Sequence, residues 1–167
     1  MGVALTELLI KEEIELNDLN GKIIVIDGNL FLYQFLTTIR GIDGTQLKDS
    51  HGDVTSHLVG LFTRTASLMQ KGIKPVFVFD GKPPELKQKV HEQRNALKIE
   101  AEKKFLEAKE KMDVEQMKKY AARTSRLSKD MVEESKKLVS LLGIPSVQAP
   151  SEGEAQAAYM VKEGNGF

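Results

Sequence analysis

Four carboxylates carry the chemistry that this sequence suggests. Asp27 ends the apolar run KIIVID and Asp80 ends the apolar run KPVFVFD. Glu152 and Glu154 stand one residue apart in PSEGEA, after a third apolar run, IPSVQA. Each has an ordinary explanation. A lone Asp after a strand more often caps a turn or the next helix than binds a ligand. Ser151 to Glu154 has the Ser-x-x-Glu form of a capping box, with Ser151 as N-cap and Glu154 at the third helical position. The constellation says more than its parts. If the three runs are neighbouring parallel strands, all four side chains lie at one edge of the sheet, where they repel unless protons or cations compensate them. Hard oxygen ligands, with no cysteine and no helical His pair, suit Mg²⁺ or Mn²⁺ rather than zinc. Two such ions about 3.5–4 Å apart activate water and stabilise both oxygens of an in-line displacement at phosphorus. The reaction class is therefore hydrolysis of a phosphodiester.

Other chemistries find little support. His51, His57 and His91 are scattered over a loop and two helices and read as surface or packing residues. There is no nucleophile elbow and no Gly-x-x-x-x-Gly-Lys phosphate loop. A phosphatase using Asp27 as nucleophile would need a second Asp two residues on, where this chain has Asn29. The absence of cysteine removes disulfide frameworks and thiolate metal sites. No apolar run approaches the length of a membrane span, and the N-terminus turns acidic too early for a secretory leader. An intracellular protein with no membrane partner is the expectation. Net charge is zero, but it is unevenly spread. Between Lys82 and Lys137 there are 16 Lys/Arg against 11 Asp/Glu, and elsewhere 8 against 13. A basic segment in an acidic body suits a protein that holds phosphates in one place and cations in another. Composition alone equally allows a solvated helix laced with ion pairs.

These residues need elements to position them. KIIVID reads as a buried parallel strand, and the spacing of NLFLYQFLTTIR (29–40) predicts a helix with Asn29 as N-cap. A polar loop over 41–53 precedes an amphipathic helix over 54–72 that Gly72 stops. KPVFVFD is the second buried strand. From Glu85 to about Lys119 the chain is highly charged and poor in large apolar residues. An amphipathic helix runs from about Ser128 to Leu142, a third strand follows Gly143, and Ser151 opens a last helix that fades at Gly164. This order predicts an α/β domain with a mostly parallel central sheet flanked by helices and a long helical insertion. Such sheets bind ligands beyond the carboxyl ends of their strands, where the four carboxylates fall.

The blocks IVIDGNLFLYQFL, GIKPVFVFDGKPPELK and GIPSVQAPSEGEAQAAYM, with the opening MGV, the DVTSHLVGLFTRT helix and the LLGIP lead-in, resemble in order the signature blocks of flap endonucleases. These are structure-specific 5′ nucleases of replication and repair, and the N-terminal style is closest to archaeal members, which would make the protein cytoplasmic. The resemblance implies a nuclease core with a helical arch. It divides the chain into a nuclease region over 1–98, an arch over 85–129, and the start of an internal nuclease region over 116–167.

It also implies roles. Asp27, Asp80, Glu152 and Glu154 match metal-site carboxylates for two Mg²⁺ ions, with Mn²⁺ as a substitute. Glu152 and Glu154 would bind one ion directly, the aspartates partly through water. Tyr33 matches an aromatic that stacks beside the scissile phosphate. Lys87 and Arg94 match a basic pair at the arch base that steers the phosphate diester. Arg40 and Arg64 match contacts to the DNA backbone, and Gly2 would bring the N-terminus near the site. The substrate would be branched DNA with a 5′ flap threaded through the arch. The chain departs from the family at Gly28-Asn29, where Ala and a small residue are usual, and at Leu97, often a second Arg. It also stops at Phe167, before the strand bearing an Asp-x-Asp pair and before the tail that binds the sliding clamp. The expectation is the N-terminal half of such an enzyme, inactive or nearly so alone. The alternative is a non-catalytic nucleic-acid-binding or regulatory module that keeps the fold.

Overall fold

The computed structural model describes residues 13–42, 44–82 and 88–167. The chain follows the order β1 (Ile23–Asp27), α1 (Gly28–Thr38), α2 (Ser56–Gln70), β2 (Lys74–Phe79), α3 (Gln88–Glu110), α4 (Val114–Arg123), α5 (Lys129–Leu141), β3 (Ser146–Gln148) and α6 (Gly153–Lys162). The strands form one parallel sheet in the order β1-β2-β3. Its register aligns Asp27 with Val78 and Phe79 with Gln148, so the carboxyl ends of all three strands lie along one edge. This is the α/β architecture expected from the alternating pattern.

The central strand is the most apolar because it is covered on both faces. Phe77 and Phe79 project into a core with Leu32 and Phe35 of α1, Leu61 of α2, Val139 of α5 and Ile144. Val78, on the opposite face of the strand, is also fully buried, and α6 packs against β1 and β2. Gly60 lets α2 approach α1 closely: a Cβ there would stand 2.3 Å from Cγ of Phe35. His57 is fully buried on α2, where its Nε2 meets Oε2 of Glu134 on α5 at 3.2 Å, so it is a packing histidine.

The charged insertion forms two helices that fold back on each other. After α3 the chain reverses at Met112, which adopts a left-handed φ of 53°, and Asp113 caps α4 by accepting the N–H of Gln116 at 3.0 Å. The sequence shows few large apolar residues here, and the buried contacts are accordingly small: Ala101, Ala108 and Ala121. α4 also rests against α1. At the outer side of β1, Phe167 accepts the N–H of Val25 at 2.8 Å and donates to the carbonyl of Ile23 at 2.9 Å, which is parallel-strand bonding. The edge of β1 is thus partly covered.

Candidate active site

Asp27 does two things at once. Its Oδ1 accepts the N–H of Leu30 at 3.0 Å, so Asp27 and not Asn29 is the N-cap of α1. The sequence reading placed the helix start two residues late because Asn is as good a cap as Asp. Gly28 begins the helix instead, and it must be small: a Cβ there would lie 2.7 Å from the Phe79 ring and 3.1 Å from the carbonyl of Val78. Asn29 is released for another task. Its Oδ1 accepts the backbone N–H of Asp80 at 3.2 Å, tying the start of α1 to the end of β2.

Asp80 is held from three elements. Besides Asn29, the side chain of Gln148 donates to the carbonyls of Phe79 at 3.3 Å and Asp80 at 2.5 Å. Gly81 donates to the carbonyl of Ser151 at 2.6 Å. The Asp80 carboxylate accepts the N–H of Gly153 at 2.6 Å. That bond overturns the expected capping box. α6 begins at Gly153 with Glu152 as N-cap, Glu152 makes no capping bond, and the helix end is capped from across the sheet by Asp80. A Cβ at Gly153 would stand 3.0 Å from the same oxygen, so glycine lets Asp80 reach the helix terminus. The helix dipole favours a carboxylate there.

Electrostatics link the strand ends. Burial raises the Asp27 pKa above its ordinary value, the N–H of Leu30 opposes this, and the charges of Asp80 and Glu154 raise it further. Asp27, Asp80 and Glu154 therefore share one field, and Glu152 adjoins it through Gly153. Among the described residues, no group of three or more His, Asp or Glu side chains is gathered closely enough to hold an ion. The donors are of the right kind for a hard cation, and their repulsion is of the sign a cation relieves, but they do not form a closed cage.

The remaining residues fall out differently. Tyr33 is half-buried on α1 with the ammonium of Lys98 5.6 Å from its ring centre. Arg40 is half-buried and donates to the carbonyls of Thr37 at 3.0 Å, Gly44 at 2.7 Å and Leu36 at 2.9 Å, and to Ser125 Oγ at 2.5 Å. It thereby fastens Gly44 and Ser125, which follows α4, to α1. Arg64 is exposed on α2. Arg94 belongs to α3, but its side chain, like Lys87 and Gly2, lies outside the described residues. Asn29, Gln148 and Gly153 are the site residues that sequence reasoning passed over. A larger apolar cleft of about 620 Å³ between α2 and α5 holds none of the site residues.

The chain resembles known proteins. The chain is 56% identical to flap endonuclease 1 of Pyrococcus furiosus over 165 residues, 99% of this chain and 48% of that protein. Among solved structures, flap endonuclease-1 from Methanococcus jannaschii matches with a TM-score of 0.71 at 48% identity, over 99% of this chain and 52% of that one. The catalytic core of Rad2 in complex with a DNA substrate matches with a TM-score of 0.60 at 30% identity, over 92% and 39%. The chain thus spans about half the length of the curated relatives it matches. Among the described residues, no helix is long and apolar enough to cross a membrane. The whole chain aligns to flap endonucleases, and residues 1–101 match the XPG N-terminal domain, so the chain belongs to the XPG N-terminal domain family.

Proposed function

We propose that this chain is part of a divalent-metal-dependent 5′ flap endonuclease, an intracellular enzyme that hydrolyses a phosphodiester at the base of a 5′ flap. The observation that carries this reading is the shared field at the sheet edge. Asp27, Asp80 and Glu154 come from the ends of three different elements, and the second and third charges bear on the first. A partly buried carboxylate at a strand end with like charges nearby is the pattern of functional sites. A relative named flap endonuclease 1 and a Rad2 core solved with DNA support the substrate class.

In this reading Asp27, Asp80, Glu152 and Glu154 hold Mg²⁺ or Mn²⁺. When bound, such ions supply Lewis acidity at phosphorus and a water acidic enough to attack. The chain's own contribution is positional. Asn29, Gln148 and the α6 terminus fix the Asp80 carboxylate at the end of β2, and the capping bond to Leu30 fixes Asp27. Tyr33 stacks on the nucleotide beside the scissile bond. Lys87 and Arg94 neutralise the phosphate, while Arg64 and Gly2 lie along the DNA path. The 85–129 segment is the arch around the single strand, and Arg40 contacts the DNA backbone while its bonds to Leu36 and Ser125 hold the segment after α4 to α1.

The reading makes the 167-residue chain alone inactive or nearly so, since its described carboxylates do not close a site. The test is cleavage of a 5′-flapped duplex with Mg²⁺, by this chain and by the full-length protein containing it. The full-length protein should cut at the flap base and lose activity in Asp80→Ala. Cleavage unaffected by Asp80→Ala would refute the assignment, and efficient cutting by the short chain would refute its dependence on the rest. A second reading, a non-catalytic DNA-binding module, draws on the open carboxylate set. It predicts flap binding without cleavage by the full-length protein.

A further inference from the structure

A second aromatic group stands where the nuclease reading assigns none. α1, α3 and α4 enclose a cleft of about 350 Å³ lined by Tyr33, Leu97, Lys98, Glu100, Ala101, Lys104 and Tyr120. That volume is within the range of small-ligand sites, about 300–1,000 Å³. The two tyrosines come from different helices, and each has an ammonium near its ring. Lys98 lies 5.6 Å from the centre of Tyr33, and Lys119 and Lys104 lie 5.5 and 5.9 Å from the centre of Tyr120. Lys104 also pairs with Glu100 at 2.6 Å.

Packing accounts for only part of Tyr120. Its neighbour Ala121 is buried, 3% exposed, whereas Tyr120 is only half-buried and lines the cleft. An aromatic ring with flexible cations around it is the composition of a platform for single-stranded nucleic acid. The ring takes any base by its flat face and the cations take the flanking phosphates.

We infer that Tyr120 is a stacking platform for a base of the single-stranded 5′ segment, set in one cleft with Tyr33. Entry of the strand exchanges contacts. Each lysine leaves a tyrosine face for a phosphate, and the vacated face receives a base. A cation over a ring near solvent contributes about 2- to 5-fold to an equilibrium, whereas stacking one base contributes about 5- to 150-fold, so the exchange favours the strand. The long lysine stems allow it without movement of the helices. Because Tyr33 sits on the helix that Asp27 caps, a strand held on both rings would leave the carboxylates along the α1–α4 side.

The inference rests on the nuclease reading for the identity of the strand, so its test keeps the two apart. Flapped duplexes carrying 5-iodouracil at successive flap positions are irradiated with the unaltered full-length protein, and the adducts are mapped by peptide mass spectrometry. An adduct on Tyr120 is expected from at least one flap position. In parallel, affinity for the flapped duplex should fall about 5- to 30-fold in Tyr120→Leu and stay within about 2-fold in Tyr120→Phe. Affinity for a blunt duplex should not change. Adducts confined to Tyr33, or equal flap affinity in Tyr120→Leu, would overturn the inference. The photochemical arm needs no variant, so it decides the matter even if Tyr120→Leu misfolds. Cleavage without a Tyr120 adduct removes this inference alone, whereas a Tyr120 adduct without cleavage removes the nuclease reading and leaves the strand site.

Discussion

Replacing Asp27 separates a structural role from an electrostatic one. Its Oδ1 caps α1 through the N–H of Leu30 at 3.0 Å. Asn caps a helix about as well as Asp, whereas Ala loses the cap at a cost of about 1 kcal/mol. In a chain of 167 residues that is about 2–4 °C in Tm. The charge acts in the opposite sense. The folded state raises the Asp27 pKa, by burial first and then by Asp80 and Glu154, so the native protein binds this proton more tightly than the unfolded chain does. Stability therefore falls as pH rises through the folded-state value, and at neutral pH the ionised carboxylate is a net penalty. Asp27→Asn removes the penalty and keeps the cap. At pH 7.5 it should melt at or above the wild type, and about 2–4 °C above Asp27→Ala. Toward pH 4 the wild type should close on the Asn variant as Asp27 becomes protonated. Circular dichroism melts across that range, without divalent metal, measure all three proteins, and both variants should lose flap cleavage in the full-length enzyme. If Asp27→Asn melts as low as Asp27→Ala at pH 7.5, the separation of cap from charge is wrong.

Three further outcomes follow from contacts elsewhere. Arg40→Ala should cost about 2–3 kcal/mol, because it strips a charged donor from three carbonyls and Ser125, and Arg40→Lys should not restore it. Urea midpoints report this, and an unchanged midpoint would refute the structural weight of these bonds. Gly60→Ala should lose about 1–2 kcal/mol, as crowding against Phe35 and Ile39 outweighs the gain in helix propensity; a thermal melt that rises instead would show that α1 and α2 can part freely. Burial lowers the His57 pKa, with Glu134 opposing, so stability should be full above about pH 6.5 and decline as pH falls through the lower folded value. His57→Gln should flatten that decline in urea titrations at pH 5 and 7.5.

The framework was legible because hydrophobic period and chain punctuation are local. Apolar runs ending in Asp announced β1 and β2, Gly72 and Gly143 marked the ends of α2 and α5, and Ser128 capped α5 as its type suggests, accepting the N–H of Met131 at 3.2 Å. The four carboxylates were also visible, because strands read as parallel must place their carboxyl ends on one edge. Local rules failed where two segments compete for one group. The sequence offers Asp27 and Asn29 equally as caps, and only the approach of β2 decides between them, since Asn29 is needed by the N–H of Asp80. Likewise Ser151 is a plausible cap until Asp80 arrives from 73 residues away to take the N–H of Gly153. Nor could any local pattern show that Arg40 bonds Ser125, 85 residues away, as well as the carbonyl of Gly44. The sequence by itself determined the kinds of element, their order and the acidic residues at their ends. The tertiary structure alone decided which donor meets which acceptor, because a hydrogen bond between distant segments depends on their separation in space, and no local pattern encodes that distance.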